Sequence, residues 1–150
     1  MKNYLLPILF CIVLSACSES TVTTPEEQVK QTLEAIELAA EARSLKDFMQ
    51  HISDDYADHQ GNDKQAIRRL VQLQYIRNQK IHIFSTIRSL EVQDQIATVE
   101  LSTAMAAREA DLLDESTRLR ADTHRFSIVL REDDEASWLV ESVSWQRGWE

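Results

Sequence analysis

A chain of 150 residues with 25 Asp and Glu against 16 Lys and Arg, net charge -9, suits one domain with a self-sufficient core. That balance excludes a nucleic-acid binder, which needs a basic footprint, and argues against an electrostatic grip on anionic lipid. The two cysteines, Cys11 and Cys17, both lie near the N terminus, so the body has no thiol for a disulfide, a nucleophile or a thiolate metal site.

The chain opens with Met1-Lys2-Asn3, continues through an apolar stretch from Tyr4 to Val13 and reaches Leu14-Ser15-Ala16-Cys17. One positive charge, an apolar core and small residues before a cleavage point make a secretory leader. Tyr4 to Ala16 is shorter than the roughly 20 apolar residues that a span needs, and Pro7 interrupts it. The Leu-Ser-Ala-Cys ending resembles the lipobox of bacterial lipoproteins. The resemblance implies that residues 1–16 are removed and that Cys17 is lipidated as the new N-terminus. Three acyl chains then anchor the protein firmly, since stable attachment takes about two. Ser18 stands where aspartate would retain such a protein at the inner membrane of a Gram-negative cell. The implied address is the outer membrane, facing the periplasm.

Residues 17–24 read as a lipidated tether, and 25–150 as the domain. Thr24-Pro25-Glu26-Glu27 announces a helix, with Thr24 as cap, Pro25 in the first turn and Glu27 placed for a capping box. Val29, Leu33, Ile36 and Ala40 follow at helical spacing to about Arg43. Ser44 to Asp47 repeats the capping pattern before a shorter helix carrying Leu45, Phe48, Met49 and Ile52. Tyr56 to His59 is expected as a brief strand. Asn62 or Asp63 then caps a third helix, Lys64 to about Arg77, with a stripe of Ile67, Leu70, Val71, Gln74 and Tyr75 and Leu73 on its flank.

After Asn78 the period becomes alternating. Ile81, Ile83 and Ile87 fall on one strand face, His82 and Phe84 on the other. Leu90 and Val92 break this parity, which predicts a bulge or bend. Val92 to Gln95 turns the chain into a second strand with Ala97, Val99, Leu101, Thr103 and Met105 on one face. Arg108 to Thr117 is a polar connection containing Leu112 and Leu113. His124, Phe126, Ile128 and Leu130 share a face of the third strand, and Asp133 to Ala136 leads to a last strand, Trp138 to Gln146.

Helices first and antiparallel strands afterwards predict an α+β domain with N-terminal helices on one face of a curved antiparallel sheet. Three helices, a short strand between the second and third, and then a four-stranded meander ending in Trp-Leu-Val-Glu-Ser-Val-Ser-Trp resemble the nuclear transport factor 2-like superfamily, which includes the SnoaL-like cyclases and the ketosteroid isomerases. The resemblance spans Pro25 to Trp149 and implies a cone whose open end is often a pocket. Members use it for proton transfer, for ligand binding, or not at all, so the fold alone names no role.

The densest polar cluster runs from Asp54 to Asp63. An EF-hand alignment on Gly61 puts Tyr56 and Ile67 where carboxylates are required, so that reading fails. The plainest alternative is a solvated turn in which Asp and Asn bond their own backbone, Gly61 supplies a permissive dihedral and Asp63 caps a helix. The functional alternative places Tyr56, Asp58 and His59 at the cone mouth, with His82 and His124 as partners from neighbouring strands. Nothing in the spacing makes the three imidazoles converge on a metal, and no cofactor motif is present. Trp138 and Trp145 are candidate anchors for a homodimer through the outer sheet face. The expected function is a lipoprotein binding a small apolar ligand or an envelope protein partner. The alternative is a SnoaL-like enzyme doing acid–base chemistry on a small hydrophobic substrate, with Asp58 or His59 as base.

Overall fold

The computed structural model describes residues 23–109 and 119–148. The leader, Cys17, most of the tether, and Leu112 and Leu113 lie outside the described residues. Three helices, α1 (Pro25–Glu41), α2 (Leu45–Gln50) and α3 (Lys64–Arg77), precede four strands, β1 (Asn78–Gln93), β2 (Ile96–Glu109), β3 (Leu119–Glu132) and β4 (Trp138–Arg147). The helices begin where the caps predict. The side chains of Thr24, Ser44 and Asp63 accept from the backbone N–H groups of Glu27, Asp47 and Ala66.

The strands form one antiparallel meander in the order β1-β2-β3-β4. Side chains opposite one another across an antiparallel pair share a face. The inner face is therefore read from the register, which sets Leu90 opposite Val99, Val92 opposite Ala97, Val99 opposite Ile128 and Ala97 opposite Leu130. The parity break in β1 is real: the register shifts between Ile87 and Ser89. One extra residue there turns Leu90 and Val92 to the side that Ile83 and Ile87 occupy. A second shift, between Val129 and Leu130 on the β3 side, does the same in β4, so that Trp138, Val140 and Val143 all point inward.

The core lies where these strands meet the helices. Val29 of α1, Met49 of α2, Val99 of β2, Leu130 of β3 and Val140 of β4 are all buried in one cluster with Ile52 and Tyr56. Trp138 is buried among them, and its indole Nε1 donates to Gln28 Oε1 at 3.1 Å. This overturns the expectation of an interface role for Trp138: its ring fills the interior and its polar edge is satisfied by α1.

The brief strand expected at Tyr56 to His59 does not form. The segment instead runs along the outer edge of β4 as irregular chain. Val140 N donates to the carbonyl of His51, Ser53 N to that of Val140 and Ala57 N to that of Glu141. Isolated bridges join Ile52 to Val140 and Ala57 to Asp63. The edge of β4 is thereby paired at Val140 and Glu141 by irregular chain.

Leu130 is fully buried at the centre of this packing, whereas Val129 faces the other side of the sheet and is half-buried. Leu130→Ala is expected to cost about 2–5 kcal/mol of unfolding free energy and Val129→Ala about 1 kcal/mol or less. Urea titration followed by circular dichroism measures both.

Candidate functional site

Between α2 and α3 the chain is tied around one carboxylate. Asp58 Oδ1 accepts from the backbone N–H groups of Gln60 and Asn62, each at 2.9 Å. Asp58 Oδ2 accepts from Asn62 Nδ2 at 2.9 Å and from Tyr56 Oη at 3.3 Å. Gly61 holds a φ of 80° that permits the tight return, and the next residues lead into the Asp63 cap. Asp58 is only 9% exposed. Burial by itself raises its pKa, but the four donors, two of them on Asn62, outweigh burial and hold the carboxyl below its ordinary value. Burial pushes the Tyr56 phenol up, and the adjacent carboxylate adds to the shift.

These facts correct the proposed role of Asp58 as a general base. Such a base needs a free lone pair aimed at substrate and a pKa near the working pH. Asp58 has both oxygens committed to its own loop and a lowered pKa. It is a structural knot, the turn reading that the local sequence also permitted.

The other candidates separate into two groups. His82 lies on the outer face, opposite Ala106, with its side chain 64% exposed and Nδ1 3.9 Å from Glu41 Oε1. His124 lies on the inner face opposite Thr103. The sheet stands between them, so His82 is not a pocket residue and the three imidazoles do not converge. Among the described residues no group of three or more His, Cys, Asp and Glu side chains is disposed to hold a metal ion.

What does assemble is an aromatic and imidazole wall on the inner face, bordering the core, against which Phe126 packs. Phe126 sits directly opposite Trp145, and His124 directly opposite Arg147. The rings of His124 and Phe126 are 5.9 Å apart. His59 reaches over from the Asp58 loop and meets the ring of Trp145 edge-on, at 6.2 Å and 67°. Trp145 therefore faces inward and is no anchor on the outer sheet face, which corrects its expected interface role. Within this wall, His124 Nδ1 is buried and has no hydrogen-bond partner among the described residues. Thr103, which sequence reasoning passed over, is buried opposite it. The signal for Thr103 was the strict alternation of β2, which places it on the face of Val99 and Leu101.

A separate groove of about 600 Å³ lies against α1 and the β3–β4 turn, lined by Gln28, Gln31, Gln50, His51, Ser137 and Trp138 among others. None of the five candidate pocket residues lines it. His51 there has its pKa lowered by burial, against a smaller opposing pull from Asp47.

No protein-family model and no curated protein sequence matches the chain. Solved structures do. A nuclear transport factor 2-like family protein from Streptomyces avermitilis matches with a TM-score of 0.70 at 17% identity, over 83% of this chain and 97% of its own. A ketosteroid isomerase-like protein from Erwinia carotovora matches with a TM-score of 0.65 at 11% identity, over 85% of this chain and 100% of its own. A hexachlorocyclohexane dehydrochlorinase matches with a TM-score of 0.67 at 9% identity, over 81% and 84%. At such identities the likeness concerns architecture: this chain has the nuclear transport factor 2-like fold.

Asp58→Asn is expected to destabilise the domain by about 1–3 kcal/mol at pH 7, because an amide nitrogen replaces one acceptor among four donors. A folded-state pKa below the unfolded value, about 3.9, contributes stability above that value and loses it as pH falls through the folded pKa. The gap between parent and variant should therefore close on acidification below about pH 4, as urea midpoints across pH would show.

Proposed function

We propose that this protein is an envelope lipoprotein, lipidated at Cys17 and facing the periplasm from the outer membrane, whose cone holds a small apolar ligand. The ligand contacts the inner sheet face at His124, Phe126 and Trp145, with His59 over the opening. The observation that carries the binding reading is the buried His124 Nδ1, without a partner among the described residues and set in an aromatic wall. An unsatisfied buried nitrogen costs roughly 1–3 kcal/mol, a deficit that one polar atom on an otherwise apolar guest offsets. The Leu14-Ser15-Ala16-Cys17 sequence supports the address.

A second reading, SnoaL-like acid–base chemistry on a small hydrophobic substrate, draws on the same imidazole and on the dehydrochlorinase among the structural neighbours. Binding is the better supported. Catalysis by histidine usually enlists a carboxylate to orient the ring, and the nearest acid in the loop, Asp58, is already tied.

Mass spectrometry of the native product should find acylated Cys17 at the N-terminus. An intact leader on cytosolic protein would overturn the anchor. For binding, titration with N-phenyl-1-naphthylamine, a neutral apolar fluorophore, should saturate, and His124→Ala or Trp145→Ala should each weaken it about tenfold, on the order of 1.4 kcal/mol. His82→Ala, on the opposite face, should leave it unchanged. Absence of saturable binding, or equal loss in all three variants, would remove the cone from the proposal.

A further inference from the structure

The acidity of this chain is unevenly spread. From Lys64 to Leu90 there is no Asp or Glu, while Lys64, Arg68, Arg69, Arg77, Lys80 and Arg88 supply six of the 16 cations. The segment is α3 and most of β1. At 100° per residue, Ile67, Val71 and Tyr75 share the side of α3 turned to the protein. Tyr75 is buried there, and Ile67 packs on the core. The opposite side carries Arg69, Leu73, Ile76 and Arg77, with Leu70 beside them, all exposed. Leu70 is 45% exposed, Leu73 39% and Ile76 66%.

This face sits on a fixed support. Arg43 at the end of α1 donates to the carbonyls of Tyr75 and Gln79, and Tyr75 Oη donates to the carbonyl of Ala39. Lys64 is engaged by Asp54 at 2.7 Å. The cations on the exposed surface of the helix and just after it are Arg68, Arg69, Arg77 and Lys80.

We propose that the outward face of α3 is a docking surface for an anionic phospholipid bilayer. Leu73 and Ile76 enter the headgroup region while Arg69 and Arg77 pair with lipid phosphates beside them. Charge complementarity selects this occupant. The rest of the domain is strongly acidic, so an anionic surface repels it in most orientations, and the 64–90 segment is the long stretch that presents cations without a carboxylate of its own. Among the described residues no helix is long and apolar enough to cross a membrane, so α3 lies on the surface. Whole-chain charge argued against a lipid grip; the segregation of charge reverses that argument locally. The proposal goes beyond ligand binding in the cone and stands independently of acylation at Cys17.

The test uses the chain from residue 17 onward with Cys17→Ser, so that no acyl chain contributes, in vesicle co-sedimentation at low salt. Partitioning should be at least tenfold greater into vesicles of equal phosphatidylglycerol and phosphatidylcholine than into phosphatidylcholine alone. Arg69→Gln with Arg77→Gln should reduce it about thirtyfold, the loss expected for two surface cations. Leu73→Ser with Ile76→Ser should reduce it with unchanged circular dichroism. Arg131→Gln, an exposed cation elsewhere, should leave it intact. Equal partitioning into both vesicle types, or equal loss in all variants, overturns the proposal. So does a concentration-dependent dimer abolished by Leu73→Ser with Ile76→Ser, which assigns the face to a second copy. A chain that is acylated in cells yet shows no lipid preference here fails this proposal and leaves the anchor standing.

Discussion

The course of the chain between α2 and α3 depends on one buried carboxylate. Asp58 gathers two backbone N–H groups, an amide and a phenol around its two oxygens. By closing the 58–62 turn it sets three things at once. Tyr56 is held in the core against β4, His59 is delivered to the ring of Trp145, and the chain is released at Asp63 in the direction that α3 must take. An anion with four donors is a stiff hub, since charge-assisted hydrogen bonds are about twice as strong as neutral ones. Its rigidity explains why this acidic segment is ordered without regular structure.

The sheet supplies the complementary constraint. Of its register shifts, the one after Ile87 in β1 and the one in β4 keep long strands facing the helices as the sheet curves. Without them, period-two alternation would send Leu90, Val92, Val143 and Trp145 outward. The inner face then runs from the core around Val99 and Leu130 to Thr103, His124, Phe126 and Trp145, with Phe126 packed on the core. The same physical device makes both the core and the wall proposed to receive a ligand.

Much of the fold was legible because local chemistry and global packing agree. Thr24, Ser44 and Asp63 cap as their types predict, and α3 spans Lys64–Arg77 as the periodicity indicates. The parity break at Leu90 announced the β1 bulge. The site was less legible. Asp58, Tyr56 and His59 drew notice as chemistry-bearing types, but only three-dimensional closure shows that Asp58 bonds its own loop. His82 and His124 look alike along the chain, and strand pairing sets them on opposite faces. Trp138 and Trp145 suggested an outer interface because alternation alone cannot assign a strand to inside or outside. In α3, Leu70 fits the expected apolar stripe by spacing but is 45% exposed, since the helix touches its support along a narrower line than its composition allows.

The hydrogen bond from Trp138 to Gln28 joins residues 110 positions apart, linking the first helix to the final strand. A growing polypeptide therefore holds an unfinished interior until nearly all of it has been synthesised, because α1 has no indole to receive and β3 no neighbour on its far edge. Contacts of such long sequence separation close slowly. Late closure leaves the newborn chain loosely ordered through most of its synthesis, with its apolar interior open until the last strand arrives.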